Sequence, residues 1–279
     1  MQVKGNKIEN WNDSYEHLQT TYSEEFNTPA NLVNTLQNEF VYEDIKRYLA
    51  GSNEIKVLEC GCGGARTSLY LSLRGFDVTC SDYASGAVRL AIDNFAACNA
   101  KGTFLQDDLL NSKIPIESFD CVMSFGLLEH FEDLQPILNS ITRLVKPGGI
   151  QIHCIIPNKL STETIMNVFL FPLRIIKNII LGNFDKIITR SYRDFPHYEN
   201  SFSAVHYCNA FESVGNKILR CEAGGILYPF LNLPFGIGDL LTRAFPQILA
   251  KLIRKFDRTE SHLLHSISPT FYIVARKND

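Results

Sequence analysis

The run Val57-Leu58-Glu59-Cys60-Gly61-Cys62-Gly63-Gly64 constrains this chain more than any other. An apolar, β-forming segment empties into three glycines, and a helical segment, Ala65 to Leu73, follows at once. Glycines permit a tight turn and a close approach of backbone to ligand, and the N–H groups at a helix start attract a carboxylate or phosphate. A chain built on such a unit alternates strand and helix.

Further units follow. Ile55 to Cys60, Phe76 to Ser81, Thr103 to Gln106, Phe119 to Ser124 and Ile150 to Ile156 are short β-rich apolar runs that read as buried strands. Between them Val88, Ala91, Ile92 and Phe95 have helical spacing behind Ser85 as N-cap, and Phe131, Leu134, Leu138, Ile141 and Leu144 form a second helix stopped by Lys146-Pro147-Gly148-Gly149. Strand alternating with helix predicts parallel strands with right-handed crossovers, hence an α/β, doubly wound, mostly parallel Rossmann-like sheet. A helix over 203–214, a strand over 217–222 and a last, antiparallel strand from Phe271 to Arg276 complete it. The expected organisation is a helical N-terminal lid (1–50), a ligand-binding core (51–157), an apolar insertion (158–201), a core continuation (202–223), a second apolar cap (224–268) and the last strand (269–279). Both insertions leave the sheet at its ligand-binding rim and are expected to roof it.

Composition narrows the partners. The 279 residues are 45% hydrophobic and 20% charged, with a net charge of −3, far from the basic balance that phosphate neutralisation requires, so nucleic acid is excluded as a partner. The polar start, Met1 to Lys7, lacks the apolar core of a signal peptide, which predicts a cytoplasmic protein. Eight cysteines lie mostly inside apolar runs and read as reduced, buried thiols. Cys60 and Cys62 form no C-x-x-C pair, so no metal site is expected.

Spacing separates two nucleotide readings of the turn. A G-x-G-x-x-G fingerprint would need glycine at position 66, which is Arg66, so a nicotinamide-dependent oxidoreductase is disfavoured. The run Glu59-x-Gly61-x-Gly63 instead resembles motif I of class I S-adenosylmethionine-dependent methyltransferases, with Ala65 replacing a customary further glycine. Cys80-Ser81-Asp82-Tyr83 then stands where that family keeps its ribose-binding acid, and Gln106-Asp107-Asp108-Leu109 where an aspartate takes the adenine amino group. Counting back from Phe119-Asp120 selects Asp108, with Asp107 the alternative. Phe119-Asp120-Cys121-Val122, Leu128-Glu129-His130 and Leu144 to Gly149 follow in the family's order. The resemblance implies S-adenosyl-L-methionine as cofactor, held by Glu59, Gly61, Cys62, Gly63, Asp82, Tyr83, Asp108, Leu109 and Phe125. It also implies methyl transfer to the oxygen or nitrogen of a small or medium-sized acceptor. A non-catalytic S-adenosylmethionine-binding partner or sensor stays open.

Transfer from a sulfonium demands alignment and desolvation, with a base where the acceptor is a hydroxyl. His130, His153, His197 and His206 are candidates; His130 sits closest to the expected methyl position. Ubiquinone-pathway O-methyltransferases show a similar E-H turn within the metal pattern E-x-x-E-H, but here Gly126 occupies the first acidic place. Phe169, Phe171, Phe195, Tyr198, Phe202, Tyr228, Phe230 and Phe235 are expected to line an apolar or aromatic acceptor pocket. Pro172, Arg174, Lys177 and Asn178 interrupt the apolar stretch Thr164 to Leu181, which argues against a membrane span, while Leu240 to Phe256 is basic and amphipathic. Both suggest peripheral membrane contact.

Overall fold

Apolar side chains alternate to both faces of one sheet. The computed structural model describes residues 8–16, 18, 22–51, 54–183 and 197–278. Helices α1 (Ile8–Glu16) and α2 (Pro29–Tyr48) precede strands β1 (Lys56–Cys60), β2 (Asp77–Asp82), β3 (Thr103–Gln106), β4 (Phe119–Phe125) and β5 (Val145–Ile155). Helices α3 (Arg66–Ser72), α4 (Ser85–Ala97) and α5 (Leu134–Thr142) lie between these strands. Beyond β5 come α6 (Thr162–Ile180), α7 (Ala204–Ser213) and β6 (Asn216–Gly224). The described chain then runs through α8 (Tyr228–Leu231), α9 (Ile237–Ala244), α10 (Pro246–Phe256), α11 (His262–Ile267) and β7 (Thr270–Lys277).

The sheet order is β3-β2-β1-β4-β5-β7-β6, with β1 to β5 parallel and β7 antiparallel to both its neighbours. Val57, Met123, Ile152 and Val274 pack on the face covered by α2, α3 and α4; Leu58, Val122, Phe271 and Ile273 pack on the face covered by α5 and α7. Burial on both faces explains why these strands read as continuous apolar runs. Strand order reverses between β1 and β4, which places the ligand crevice beyond their carboxyl ends.

Three local expectations change. Ser85 does not cap α4: the N-cap is Ala84, and Asn12 of α1 reaches across to accept from Gly86 N–H at 3.2 Å and from the Ser85 hydroxyl at 3.3 Å. The helix expected up to Leu144 ends at Thr142, and Lys146 to Gly149 belong to β5, whose register against β4 shifts between Phe119 and Cys121. Proline and glycine are tolerated in this strand because they sit at an irregularity, where ladder pairing is already interrupted.

The third change concerns the roof. Phe169, Phe171, Phe230 and Phe235 are 45 to 70% exposed, Phe202 stacks on His206 at 4.1 Å, and Tyr198 and Tyr228 line neither cavity described below. Phe195 lies outside the described residues. Helix α6 buries only Thr162 and Leu170, and at 3.6 residues per turn the neighbours of Leu170 point about 100° away from it. An ionic cluster ties the segment after α10 to α2 and β6: Asp44, 1% exposed, accepts from Arg258 and Arg220, and Glu222 accepts from the same two arginines. No described helix is long and apolar enough to cross a membrane.

Candidate functional site

The first cavity is built by the glycine turn. Gly61 and Gly63 adopt φ of +63° and +49°, and a Cβ on them would lie 3.0 Å from Leu127 Cδ1 and 2.9 Å from the Tyr15 hydroxyl. Only glycine meets both demands without strain. Ala65 also has positive φ, +50°, so the alanine that replaces the expected glycine holds a conformation costing roughly 1–2 kcal/mol. Asp82, at the end of β2, accepts from Gly63 N–H and from Ala84 N–H, each at 2.9 Å, and so fastens the β1 turn to the start of α4. Burial raises its pKa against those bonds. Glu59 is buried behind the turn and accepts from Ser68 N–H at 3.0 Å; burial pushes its pKa up to about 7.

At the end of β3, Asp108 accepts from Leu110 N–H (3.1 Å) and from the Asn111 amide (2.7 Å), which uses both its oxygens to hold the turn over Leu109–Asn111. Asp107 accepts from Lys113 N–H at 3.3 Å, and its Oδ2 is buried without a partner. The resulting cavity has a volume of about 350 Å³. Gly61, Asp82, Tyr83, Asp108, Leu109 and His130 line it, as does Asp107. Glu59, Cys62, Gly63 and Phe125 do not line it.

A second cavity of about 430 Å³ shares Trp11, Tyr15, Gly126 and His130 with the first, so these four residues form a common wall. His130 Nδ1 lies 2.7 Å from the Tyr198 carbonyl, which fixes the proton on Nδ1. Burial lowers its pKa, outweighing the upward pull of the Tyr198 and Gly126 carbonyls, so the ring is neutral at neutral pH. Trp11 stacks on His197 at 3.6 Å and meets His130 edge-on at 4.9 Å. Glu129, 2% exposed, lines the second cavity; its Oε1 accepts from Ile156 N–H at 3.3 Å and its Oε2 has no partner. Burial, with a smaller push from Glu199, raises its pKa to about 8. His153 is fully buried between Ser124 (2.7 Å) and Gln151 (3.3 Å), and His206 lies on α7 against Phe202, so neither reaches a cavity.

Sequence reasoning singled out His130 and an aromatic N-terminal lid, but not their convergence in one wall, nor the clamp behind it. Trp11 and Tyr15 stand four residues apart, the spacing that puts two side chains on one helix face, and this was the available signal. Asn200 gave none. Its backbone N–H donates to Glu129 O (2.7 Å), its amide to Leu128 O (3.3 Å) and Phe131 O (3.0 Å), and its carbonyl oxygen Oδ1 accepts from the Tyr207 hydroxyl (2.6 Å). The turn carrying Glu129 and His130 is thereby held from a residue some seventy positions away.

Comparison with known proteins agrees with this architecture. Residues 57–149 match a family model described as methyltransferase domain. Ubiquinone biosynthesis O-methyltransferase of Rickettsia bellii (strain OSU 85-389) is 27% identical over 123 residues, 43% of this chain and 50% of that protein. The protein of the same name from Psychrobacter cryohalolentis is 30% identical over 136 residues, 42% and 51% of the two chains. The chain thus spans about half the length of these relatives. Among solved structures, a putative sarcosine dimethylglycine methyltransferase from Galdieria sulphuraria superposes with a TM-score of 0.55 at 14% identity, covering 87% of this chain and 85% of that one. The [4+2]-cyclase SpnF superposes with a TM-score of 0.54 at 14% identity, covering 94% and 98%. A cyclase on the same scaffold means that the fold alone does not fix the reaction.

Proposed function

We propose that this chain, whose core is a class I S-adenosylmethionine-dependent methyltransferase domain, transfers a methyl group to the oxygen or nitrogen of a small or medium-sized acceptor seated in the second cavity. The observation that carries the reading is the common wall: a cavity bordered by the glycine turn and an acidic rim meets a second cavity across Trp11, Tyr15, Gly126 and His130. The residues fit the cofactor. A cradle closed to any Cβ supports close backbone contact, Asp82 keeps lone pairs for ribose hydroxyls, and either Asp108 or the unpartnered Asp107 Oδ2 suits the adenine amino group. Glu59, behind the turn, supplies charge for the ammonium, and Gly61, Cys62, Gly63, Tyr83, Leu109 and Phe125 shape the site. When bound, S-adenosylmethionine supplies a methyl group on an already activated sulfur. The protein's part is to align the acceptor, exclude water and place a neutral His130 beside it.

An apolar or aromatic acceptor body is supported by Trp11, Tyr15, Ile156, Pro157 and Pro269 in the lining. Helix α1 acts as the lid. Calorimetry with S-adenosylmethionine and S-adenosylhomocysteine, followed by detection of S-adenosylhomocysteine release over an acceptor panel, tests the reading; binding of NAD in their place would overturn it. Peripheral membrane contact draws its support from exposed Val168, Phe169, Ile176 and Ile180 on α6 and Leu240, Ile248 and Leu252 on α9 and α10, with Lys251 and Lys255 among them. Flotation with anionic liposomes tests it, and failure to float removes the membrane part alone.

A further inference from the structure

Building on the reading of the second cavity as the acceptor site, we propose that it recognises an acceptor bearing a basic amine, with Glu129 Oε2 receiving one of the amine's N–H groups. Glu129 is 2% exposed, lines the cavity, has Oε1 held by Ile156 N–H, and leaves Oε2 buried without a donor. The backbone beneath it is fixed, because Asn200 donates to the backbone carbonyls of Glu129 and Leu128. A buried acceptor with no partner is rare in folded proteins, since it forfeits its hydrogen bonds to water.

Two kinds of ligand could relieve it, and they are not equivalent. A neutral hydroxyl can meet Oε2 but leaves the carboxyl largely protonated at neutral pH, as burial alone does. An ammonium brings donor and opposite charge together. The described lining is acidic: Glu163 and Glu199 accompany Glu129, and Lys159 is its only lysine or arginine. That lysine is directed away, donating to the His265 carbonyl at 2.5 Å and reaching the Ser266 carbonyl at 3.5 Å. Trp11 and Tyr15 add aromatic surface of the kind that accompanies cation recognition. Among the described residues, the groups that face Glu129 electrostatically are Glu199, Cys154 and Tyr207, with His130 next in sequence; none of these is a cation at neutral pH. Proton balance is simple. The carboxyl releases its resting proton to solvent as the ammonium binds; the ammonium then passes one proton to Oε2, which is again a neutral acid, and the nitrogen gains the lone pair that a methyl acceptor needs.

The test is calorimetry on the full chain saturated with S-adenosylhomocysteine, using 2-phenylethylamine, 2-phenylethanol and ethylbenzene as matched probes. The amine should bind at least tenfold more tightly than the alcohol, and Glu129→Gln should remove that gap while S-adenosylhomocysteine still binds, which certifies the variant's fold. Equal affinity for amine and alcohol, a gap that survives the substitution, or no binding by any probe to the loaded protein overturns the inference. The comparison of probes on the wild-type chain needs no variant. Failure of S-adenosylhomocysteine itself to bind is a different result: it overturns the underlying reading of the first cavity, and this inference with it.

Discussion

Replacing Asp82 separates two jobs that one carboxylate performs. Its oxygens accept the Gly63 and Ala84 N–H groups at 2.9 Å each, so Asp82→Ala leaves two buried donors unmet. Bonds to a charged acceptor contribute about 1.5 to 3 kcal/mol each, but the carboxylate's own burial, visible in its raised pKa, offsets part of that. The net loss of stability should be about 2 kcal/mol. Asp82→Asn keeps the shape and one acceptor oxygen, and should cost less stability while still lacking the charge that ribose hydroxyls meet. Both variants should bind S-adenosylhomocysteine roughly tenfold to a hundredfold more weakly, from losing one or two charge-assisted bonds. Urea unfolding of the ligand-free protein and calorimetry with the ligand give the two quantities independently. Wild-type affinity in the asparagine variant would refute the ribose role, and an alanine variant as stable as wild type would refute the fastening of the turn.

Burial depresses the His153 pKa to about 3, below its unfolded value of about 6.5. The stability from its neutral form is therefore present above pH 6.5 and should fall by about 1.4 kcal/mol per pH unit as pH drops from there toward 3; a His153→Gln variant showing the same urea-midpoint slope would count against this. Arg258→Met strips partners from Asp44 and Glu222 and should destabilise by about 3 to 5 kcal/mol in thermal or urea unfolding, with an unchanged midpoint refuting the cluster's role. Turnover should survive EDTA, since Gly126 brings no carboxylate to the turn; activity lost to chelator and restored by magnesium would make Glu129 and His130 metal ligands.

The central strands β1, β4 and β5 were legible because each is an apolar run buried on both faces, and the glycine turn because its backbone angles exclude other residues. Lys146 to Gly149 misled because proline and glycine carry the same signature in a turn and at a strand irregularity. The cap on α4 was illegible for a different reason: Ser85 has the right chemistry locally, but Asn12 satisfies the helix from 74 positions away. The roof aromatics failed on geometry, since composition reports that a segment is apolar and not which way its side chains turn. Asp82 and Asp108 were singled out as motif members, and both line the first cavity. What Asp82 does for the turn, and why Glu129 matters more than its place beside His130 suggests, emerged only from the donors that do or do not reach their oxygens.

The position of β7 bears on how the molecule is made. It hydrogen-bonds to β5 on one side and β6 on the other, yet it is translated after both. From the end of β5 at Ile155 to the end of β7 at Lys277, the ribosome needs on the order of ten seconds at the usual pace. Throughout that interval β5 presents an open strand edge and β6 has no place in the sheet. Co-translational folding is therefore expected to pause with five strands paired, β5 offering an edge on which another nascent chain can pair. Shortening the peptide between β6 and β7 should reduce dependence on chaperones during expression, and removing β7 should leave the half-built sheet as an aggregating species and not as a smaller stable domain.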